Sequence, residues 1–390
     1  MSESLRRTPI LTRLLVALAC LACSTACFAN GSQPSASPQP APHWFVATQG
    51  WVCAVNERSE LLCKLLGRGE GKPPAGLQSD MPSFERVAGL SDVTEVDEHG
   101  KYLCALDRRG AVQCWGCPSE RDCALWPAPV ALPEPAQHIA VSVAGACALL
   151  RSGGVQCWGY DPRVSPSQPT ARWYEKPASV ALPRDVQQLS AMGRGYCALH
   201  RSGEISCWSM NSSPVRIPGI AGASALATGL AFGCAVAGPQ REVRCWGLTE
   251  ASLRNAEESP ATAEPVLGPV TTVAGLQHVA QLAAGNLFAV AITDDGSAYH
   301  FGVYHEPGLR QFGQPRRAEP TESSASRKQL RIDISPARLS LPQRARRVLA
   351  GNHFACFDLE RGPRMCERAL TRTKPFDIRD NYAIIYYPPR

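Results

Sequence analysis

The sequence predicts an all-β protein, a seven-bladed β-propeller behind an export signal, and three observations predict it. A hairpin pattern that usually carries two cysteines recurs seven times, a short strand–turn–strand element separates most copies, and the N-terminus runs from basic to apolar to small residues. Self-similarity at a period of some tens of residues is the mark of a repeat architecture, and a period near fifty is that of propeller blades.

The N-terminal run comes first. Arg6, Arg7 and Arg13 form a basic region, and Leu14 to Ala26 is an apolar stretch followed by small residues. This is the pattern of a signal peptide over residues 1–29, and it is too short for a comfortable membrane-spanning helix. Residues 30–43 are rich in Pro and Ser with no apolar period, so they read as a disordered, semi-extended tether. The chain has 17 cysteines, far more than a reducing compartment favours, and in an exported chain they imply disulfides. Cys20, Cys23 and Cys27 lie in the leader and the other cysteines lie beyond it. Two processing routes stay open: cleavage after Ala29, which removes all three, or lipidation of Cys27, which makes the protein an envelope lipoprotein. The net charge of +6 falls to about +4 without the leader, too mild and too dispersed for a nucleic-acid-binding face.

The repeat carries the fold. Residues 102–116 read YLCALDRRGAVQCWG, 145–159 GACALLRSGGVQCWG, 195–209 GYCALHRSGEISCWS and 232–247 FGCAVAGPQREVRCWG. Residues 51–65 (WVCAVNERSELLCKL), 354–367 (FACFDLERGPRMCE) and 288–302 (FAVAITDDGSAYHFG) complete the set, the last with Val290 and His300 at the cysteine positions. The spacing between successive copies varies around a mean that falls in the range of propeller blades. A three-residue turn Arg108-Arg109-Gly110 pairs Leu106 with Val112 and Cys104 with Cys114, Gly taking the left-handed position at its end. Alternation then places Cys104, Leu106, Val112 and Cys114 on one face and Leu103, Ala105, Gln113 and Trp115 on the other. Directly opposed residues have Cα atoms about 4.5–5.5 Å apart, within disulfide reach. The predicted bridges are Cys53–Cys63, Cys104–Cys114, Cys147–Cys157, Cys197–Cys207, Cys234–Cys245 and Cys356–Cys366, with Gly238 to Arg241 forming a longer turn in the fifth. Ten residues between partners on facing strands is wrong spacing for a zinc knuckle, so no metal and no cofactor is expected. Trp115, Trp158, Trp208 and Trp246 share one repeat position and read as packing between blades.

Stretches such as PVALPEPAQHIAVS, SVALPRDVQQLSA and LSLPQRARRVLAG supply an outer strand, a turn and an inner strand, which makes four strands per blade. The first hairpin has the tether where this element would stand. The C-terminal tail, KPFDI at 374–378 and YAIIYY at 382–387, is therefore expected to close the ring by completing the first blade, leaving no open edge.

The pattern CALxxxGxVxCWG preceded by PVxLP resembles the regulator of chromosome condensation repeat family, and more closely an exported bacterial branch whose hairpins carry cysteine pairs. The resemblance covers about residues 44–390 and implies a seven-bladed propeller used for binding partners. The family's loop after WG is mostly absent; Phe301-Gly302 and Gln311-Phe312-Gly313 alone resemble it, so partner identity does not carry over. The prototype's nucleotide-exchange and chromatin roles do not carry over either, because this chain is expected to leave the cytosol.

Function is expected on loops. Cys117 to Cys123 (CPSERDC) reads as a seventh disulfide pinning either a local insertion or a recognition loop. The stretch Arg310 to Arg347 holds ten basic residues against three acidic ones and largely coincides with a basic insertion at about 303–346. Arg316, Arg317, Arg327, Lys328 and Arg331 are its candidate binding residues, for an anionic polysaccharide, or it is a solvated loop. Trp173 and Tyr174, read in a loop 160–174, are candidate interface anchors or packing residues. No GxSxG, HExxH or P-loop occurs, and the eight histidines are scattered one per region. The expectation is a monomeric, non-enzymatic binding scaffold, secreted or held at the cell envelope, for an extracellular or envelope protein. Any membrane attachment runs through a lipid on Cys27, and no intracellular nucleic acid is expected. The alternatives are a glycan-binding module or a polysaccharide hydrolase or lyase.

Overall fold

The computed structural model describes residues 45–47, 51–55, 58–65, 85–99, 102–116, 124–143, 145–160, 173–193, 195–209, 212–249, 268–305, 330–351, 354–361 and 365–368. Chain contacts separate residues 1–40 from 41–390, and the described residues all belong to the second unit. The signal peptide, the tether, Cys27 and the loop Cys117 to Cys123 lie outside them.

The described residues contain only strands and turns, in seven antiparallel sheets numbered here in chain order. Sheet 1 comprises Phe45–Ala47, Trp51–Val55, Leu61–Leu65 and Glu85–Arg86; sheet 2 Val93–His99, Tyr102–Asp107, Val112–Gly116 and Ala124–Pro129; sheet 3 Ala136–Ser142, Gly145–Leu150, Val155–Tyr160 and Trp173–Ser179. Sheet 4 comprises Val186–Met192, Gly195–His200, Ile205–Ser209 and Val215–Arg216; sheet 5 Ala223–Thr228, Gly233–Ala237, Glu242–Trp246 and Thr271–Thr272. Sheet 6 comprises Val279–Ala284, Phe288–Thr293, Ala298–His305 and Leu330–Arg338, and sheet 7 Ala345–Ala350, Phe354–Leu359 and Met365–Arg368. Each sheet is an up-and-down meander, and successive first strands touch one another. The architecture is an all-β propeller.

The hairpin register follows from the turn. Asp107 N–H donates to the Ala111 carbonyl and Gly110 N–H to the Asp107 carbonyl, both at 3.0 Å, and Gly110 has φ of 93°. The Asp107 carboxylate accepts from the N–H groups of Arg109 and Ala111 at 2.9 and 2.8 Å. Cys104 then stands opposite Cys114. Disulfides join Cys53–Cys63, Cys104–Cys114, Cys147–Cys157, Cys197–Cys207 and Cys234–Cys245, with Cα atoms 4.0–4.1 Å apart. That is closer than the sequence expectation, as suits the tighter, non-hydrogen-bonded class of antiparallel pair. Cys356 is disulfide-bonded and stands opposite Cys366.

One packing rule builds the core. The disulfide face of each sheet meets the Ala/aromatic face of the next. Cys53, Leu61 and Cys63 pack with Leu103, Ala105 and Trp115, and Cys147, Leu149, Val155 and Cys157 with Tyr196, Ala198 and Trp208. Cys197, Leu199, Ile205 and Cys207 meet Ala235, Ala237 and Trp246. Sheet 6, without cysteines, keeps the rule: Val290, Ile292 and Ala298 pack with Ala355 and Phe357. The core is thus a set of seams between sheets.

Three expectations need correction. All four strands of sheet 1 come from residues 45–86, so the tail is not needed to complete it; the short strand Phe45–Ala47 did not stand out beside the tether. The tail lies outside the described residues, and among these it is sheet 7 that has three strands. Residues 173–179 form a strand, not a loop. The basic stretch 310–347 is not one loop: Leu330–Arg338 is a fourth strand paired with Ala298–His305, and Arg346 and Arg347 belong to the first strand of sheet 7. Pairing to a neighbouring strand, which charge counting ignores, divides the stretch.

Candidate functional site

The two ends of the sheets are built under different constraints. At one end lie the hairpin tips between second and third strands and the linkers from each fourth strand to the next sheet. The linkers 87–92, 130–135, 180–185, 217–222, 273–278 and 339–344 are all of one length. Their uniformity has a cause in the hydrogen bonds. The tip carbonyls of Ser59, Gly110, Gly203 and Gly296 accept from Val93, Ala136, Ala223 and Ala345 N–H at 2.8–3.0 Å, so each tip is bonded to the start of the following sheet. A Cβ on Gly203 would lie 2.7 Å from Gly222 Cα and 2.8 Å from Ala223 N. The tip of sheet 5 is one residue longer and keeps the bond, the Arg241 carbonyl accepting from Val279 N–H at 3.2 Å, so the linkers are what the interlock holds to one length.

The opposite end carries the connections between third and fourth strands. These are residues 66–84, 117–123, 161–172, 210–214, 247–270 and 306–329, and they differ widely in length, only the last two being equal. The shortest is 210–214, whereas 247–270 and 306–329 are several times longer. Antiparallel order alone puts all of them at this end, where the first strands also finish.

A cavity of about 100 Å³ opens there between the ends of the first strands, and Asp97, Glu98, His99, Ser190, Thr228 and Asn286 line it. Asp97 Oδ2 accepts from Val141 N–H at 2.7 Å, and Oδ1 from Glu98 N–H at 2.9 Å. Glu98 is buried, and burial together with the Asp97 charge holds its carboxyl well above the usual range. One of two adjacent carboxyl groups therefore keeps its proton where an exposed glutamate has lost it.

Side-chain clamps support this mouth. The first strands of neighbouring sheets share no hydrogen-bond ladder, so their facing backbone groups need other partners. In sheets 2, 3, 4 and 6 the third residue of the first strand supplies one. Glu95 Oε1 accepts from Ile139 N–H at 3.3 Å and stands 2.6 Å from His138 Nδ1. His138 Nε2 donates to the Leu189 carbonyl at 2.8 Å. Gln188 receives Leu226 N–H at 3.0 Å and donates to the Leu226 carbonyl at 2.6 Å. Gln281 receives Val348 N–H at 3.2 Å and donates to the Arg346 carbonyl at 2.5 Å. Both His138 ring nitrogens face acceptors, which suits the imidazolium. Burial pushes its pKa down, but the Glu95 carboxylate and the Leu189 carbonyl outweigh it and hold the ring above its ordinary value. Sequence reasoning missed these clamps. Their signal was a polar residue third in otherwise apolar strands, VTEVD, AQHIAV, VQQLSA and VAQLAA.

The residues singled out from the sequence separate by place. Trp115, Trp158, Trp208 and Trp246 are buried in the seams. Trp173 and Tyr174 open the fourth strand of sheet 3, opposite Tyr160 and Gly159, and Arg331 stands opposite Tyr304. The register puts all three at the end with variable connections. Arg316, Arg317, Arg327 and Lys328 lie outside the described residues. Among the described residues no cluster of His, Cys, Asp or Glu is arranged to hold a metal ion.

No family model matches the chain, and no curated protein matches it in sequence. Solved structures do match in fold. Yeast RCC1 (Prp20), in its complex with Kap60, has a TM-score of 0.56 at 16% identity, over 86% of this chain and 85% of that one. Human WBSCR16 has a TM-score of 0.57 at 14% identity, over 80% of this chain and 86% of that one. Prp20p from Saccharomyces cerevisiae, described with its binding to Gsp1p and histones, has a TM-score of 0.52 at 18% identity, over 70% of this chain and 71% of that one. The chain shares the propeller fold of these proteins.

Proposed function

We propose that the protein is an exported scaffold that binds an extracellular or envelope protein through the end of the sheets bearing the variable connections. The carrying observation is the contrast between the ends. At one the linkers are all of one length and the tips are hydrogen-bonded to the following sheet, and the other takes connections as short as 210–214 and as long as 306–329 on the same frame. Variation is free only where no packing forbids it, and loops on a rigid scaffold are where recognition concentrates. Five disulfides support an oxidising compartment, and the N-terminal run supports export, by cleavage after Ala29 or with Cys27 as a lipid attachment point. The yeast neighbours are described with protein partners; that is an analogy of fold. The anionic-polysaccharide reading draws less support. Of the basic residues of 310–347, Arg331, Arg338, Arg344, Arg346 and Arg347 fall outside the connection 306–329, and acidic residues accompany those within it.

Photo-crosslinking residues placed singly at the variable end (Leu248, Tyr304) and at the tip end (Arg109, Ser152) test the proposal on the intact chain in its native envelope. Partner adducts are expected from the variable end. Adducts confined to the tip end would overturn the assignment of the face.

A further inference from the structure

Sheet 4 holds a constellation unrelated to the variable end. Asp185, the last residue of the linker into the sheet, places Oδ1 at 2.7 Å from His200 Nδ1. His200 ends the second strand, and its Nε2 lies 3.0 Å from Ser206 Oγ on the third strand. Carboxylate, imidazole and hydroxyl form one line of hydrogen bonds, with the imidazole buried and Ser206 only half-buried. The linker reaches this place because Val180 and Leu182 pack on the seam that also buries Tyr196, Ala198 and Trp208.

The fold does not require these residues. At the same three positions sheet 3 has Pro135, Leu150 and Gln156, and sheet 5 has Gly222, Ala237 and Arg244. Both sheets pair in the same register without an acid, a base or a hydroxyl in line. Arg216 stands directly across the strand pair from Ser206, held by Glu204 at 2.8 Å. Directly opposed side chains share a face with Cβ atoms about 4.5–5.5 Å apart, so the guanidinium belongs to the surroundings of the hydroxyl.

We propose that Ser206, His200 and Asp185 form an acyl-transfer site acting on a carboxylic ester, a chemical activity separate from the binding role and independent of it. Geometry and roles, not sequence order or fold, define such a triad. Ser206 Oγ attacks the ester carbonyl carbon and gives its proton to His200 Nε2. The carbon–oxygen bond to the leaving group breaks, and that oxygen takes the proton from His200. A water molecule then adds to the acyl carbon, passing its proton through His200 back to Ser206 as the acid leaves. Asp185 is the positioning residue: it orients the ring and stabilises the transient imidazolium. Arg216 faces the oxyanion that develops on the carbonyl oxygen.

The test uses the oxidised full chain with a fluorophosphonate serine probe, peptide mapping by mass spectrometry, and p-nitrophenyl acetate hydrolysis. Folded protein is expected to be modified at Ser206 and urea-unfolded protein is not. Ser206→Ala removes one oxygen from a half-buried site, leaves the circular dichroism unchanged, and returns ester turnover to the buffer rate. His200→Gln lowers labelling about a hundredfold or more. Asp185→Asn moves the acid limb of the pH–rate profile to lower pH, which a merely structural role would not do. Absence of label at Ser206 on folded protein, or turnover undiminished in Ser206→Ala, would overturn the proposal.

Discussion

Replacing Gly203 by alanine tests the interlock that keeps one end of the propeller uniform. Gly203 has φ of 79°, and an added Cβ would meet Gly222 Cα, Ala223 N and Gly222 C at 2.7, 2.8 and 2.9 Å. These are backbone atoms of the next sheet, so no side chain can swing aside. The left-handed conformation costs about 1–2 kcal/mol for a residue with a Cβ. The forced separation adds about 1–3 kcal/mol of overpacking, and loss of the 3.0 Å bond from Ala223 N–H to the Gly203 carbonyl adds about 1 kcal/mol. Together these come to about 3–6 kcal/mol. Gly275 is the control: its φ is 77°, but nothing lies within 4 Å of an added Cβ, so Gly275→Ala should cost only the conformational part, about 1–2 kcal/mol. Urea unfolding of the two oxidised variants, with midpoint and slope fitted together, measures the difference. Equal destabilisation would refute the claim that tip and linker are held by contact with the following sheet.

Three other outcomes follow from the same geometry. The double variant Cys147→Val, Cys157→Val should keep the native circular dichroism, since sheet 6 packs with Val290 and His300 at those positions, and should lose about 2–3 kcal/mol in urea unfolding because the closed loop is short. Gln188→Leu should cost about 2–4 kcal/mol by the same assay, because it leaves both the N–H and the carbonyl of Leu226 without their clamp. Stability should fall from mildly acidic to mildly alkaline pH through two groups whose pKa is raised in the folded state. The His138 contribution is complete below its ordinary pKa and is lost as pH rises through the raised one; Glu98 adds a cost that grows from the ordinary glutamate range up to its raised value. His138→Gln and Glu98→Gln should each flatten the profile of unfolding midpoint against pH, and a profile unchanged in both would contradict the assignments.

Much of the frame was legible before any coordinates. A period of two along Cys104, Leu106, Val112 and Cys114, with Gly110 ending a three-residue turn, determines a hairpin with opposed cysteines. The seven copies then determine seven sheets, because a repeat cannot bury its faces alone. Errors arose where long-range pairing overrides local composition. Residues 330–338 look like part of a cationic loop, but hydrogen bonding to the third strand of sheet 6 makes them a strand.

The candidate sites were less legible, since each depends on residues brought together from separate repeats or strands. His138 and His200 were two histidines among eight scattered ones. Only register shows that His138 lies against Glu95, which stands one sheet earlier in the chain, and that His200 joins Asp185 to Ser206 across a linker and a hairpin. By itself the sequence determined the hairpin, its disulfide register and the number of repeats, because those depend on near neighbours in the chain and on the two-residue period of a strand. The tertiary structure alone decided which end is interlocked and which is free to vary, where the charged and nucleophilic groups meet, and which side chains satisfy the backbone between first strands. The interlock and the clamps are set by contacts between sheets, whose partners stand a whole repeat apart in the chain and leave no periodic mark within one repeat, and the meeting of Asp185, His200 and Ser206 by the register of a linker and a hairpin.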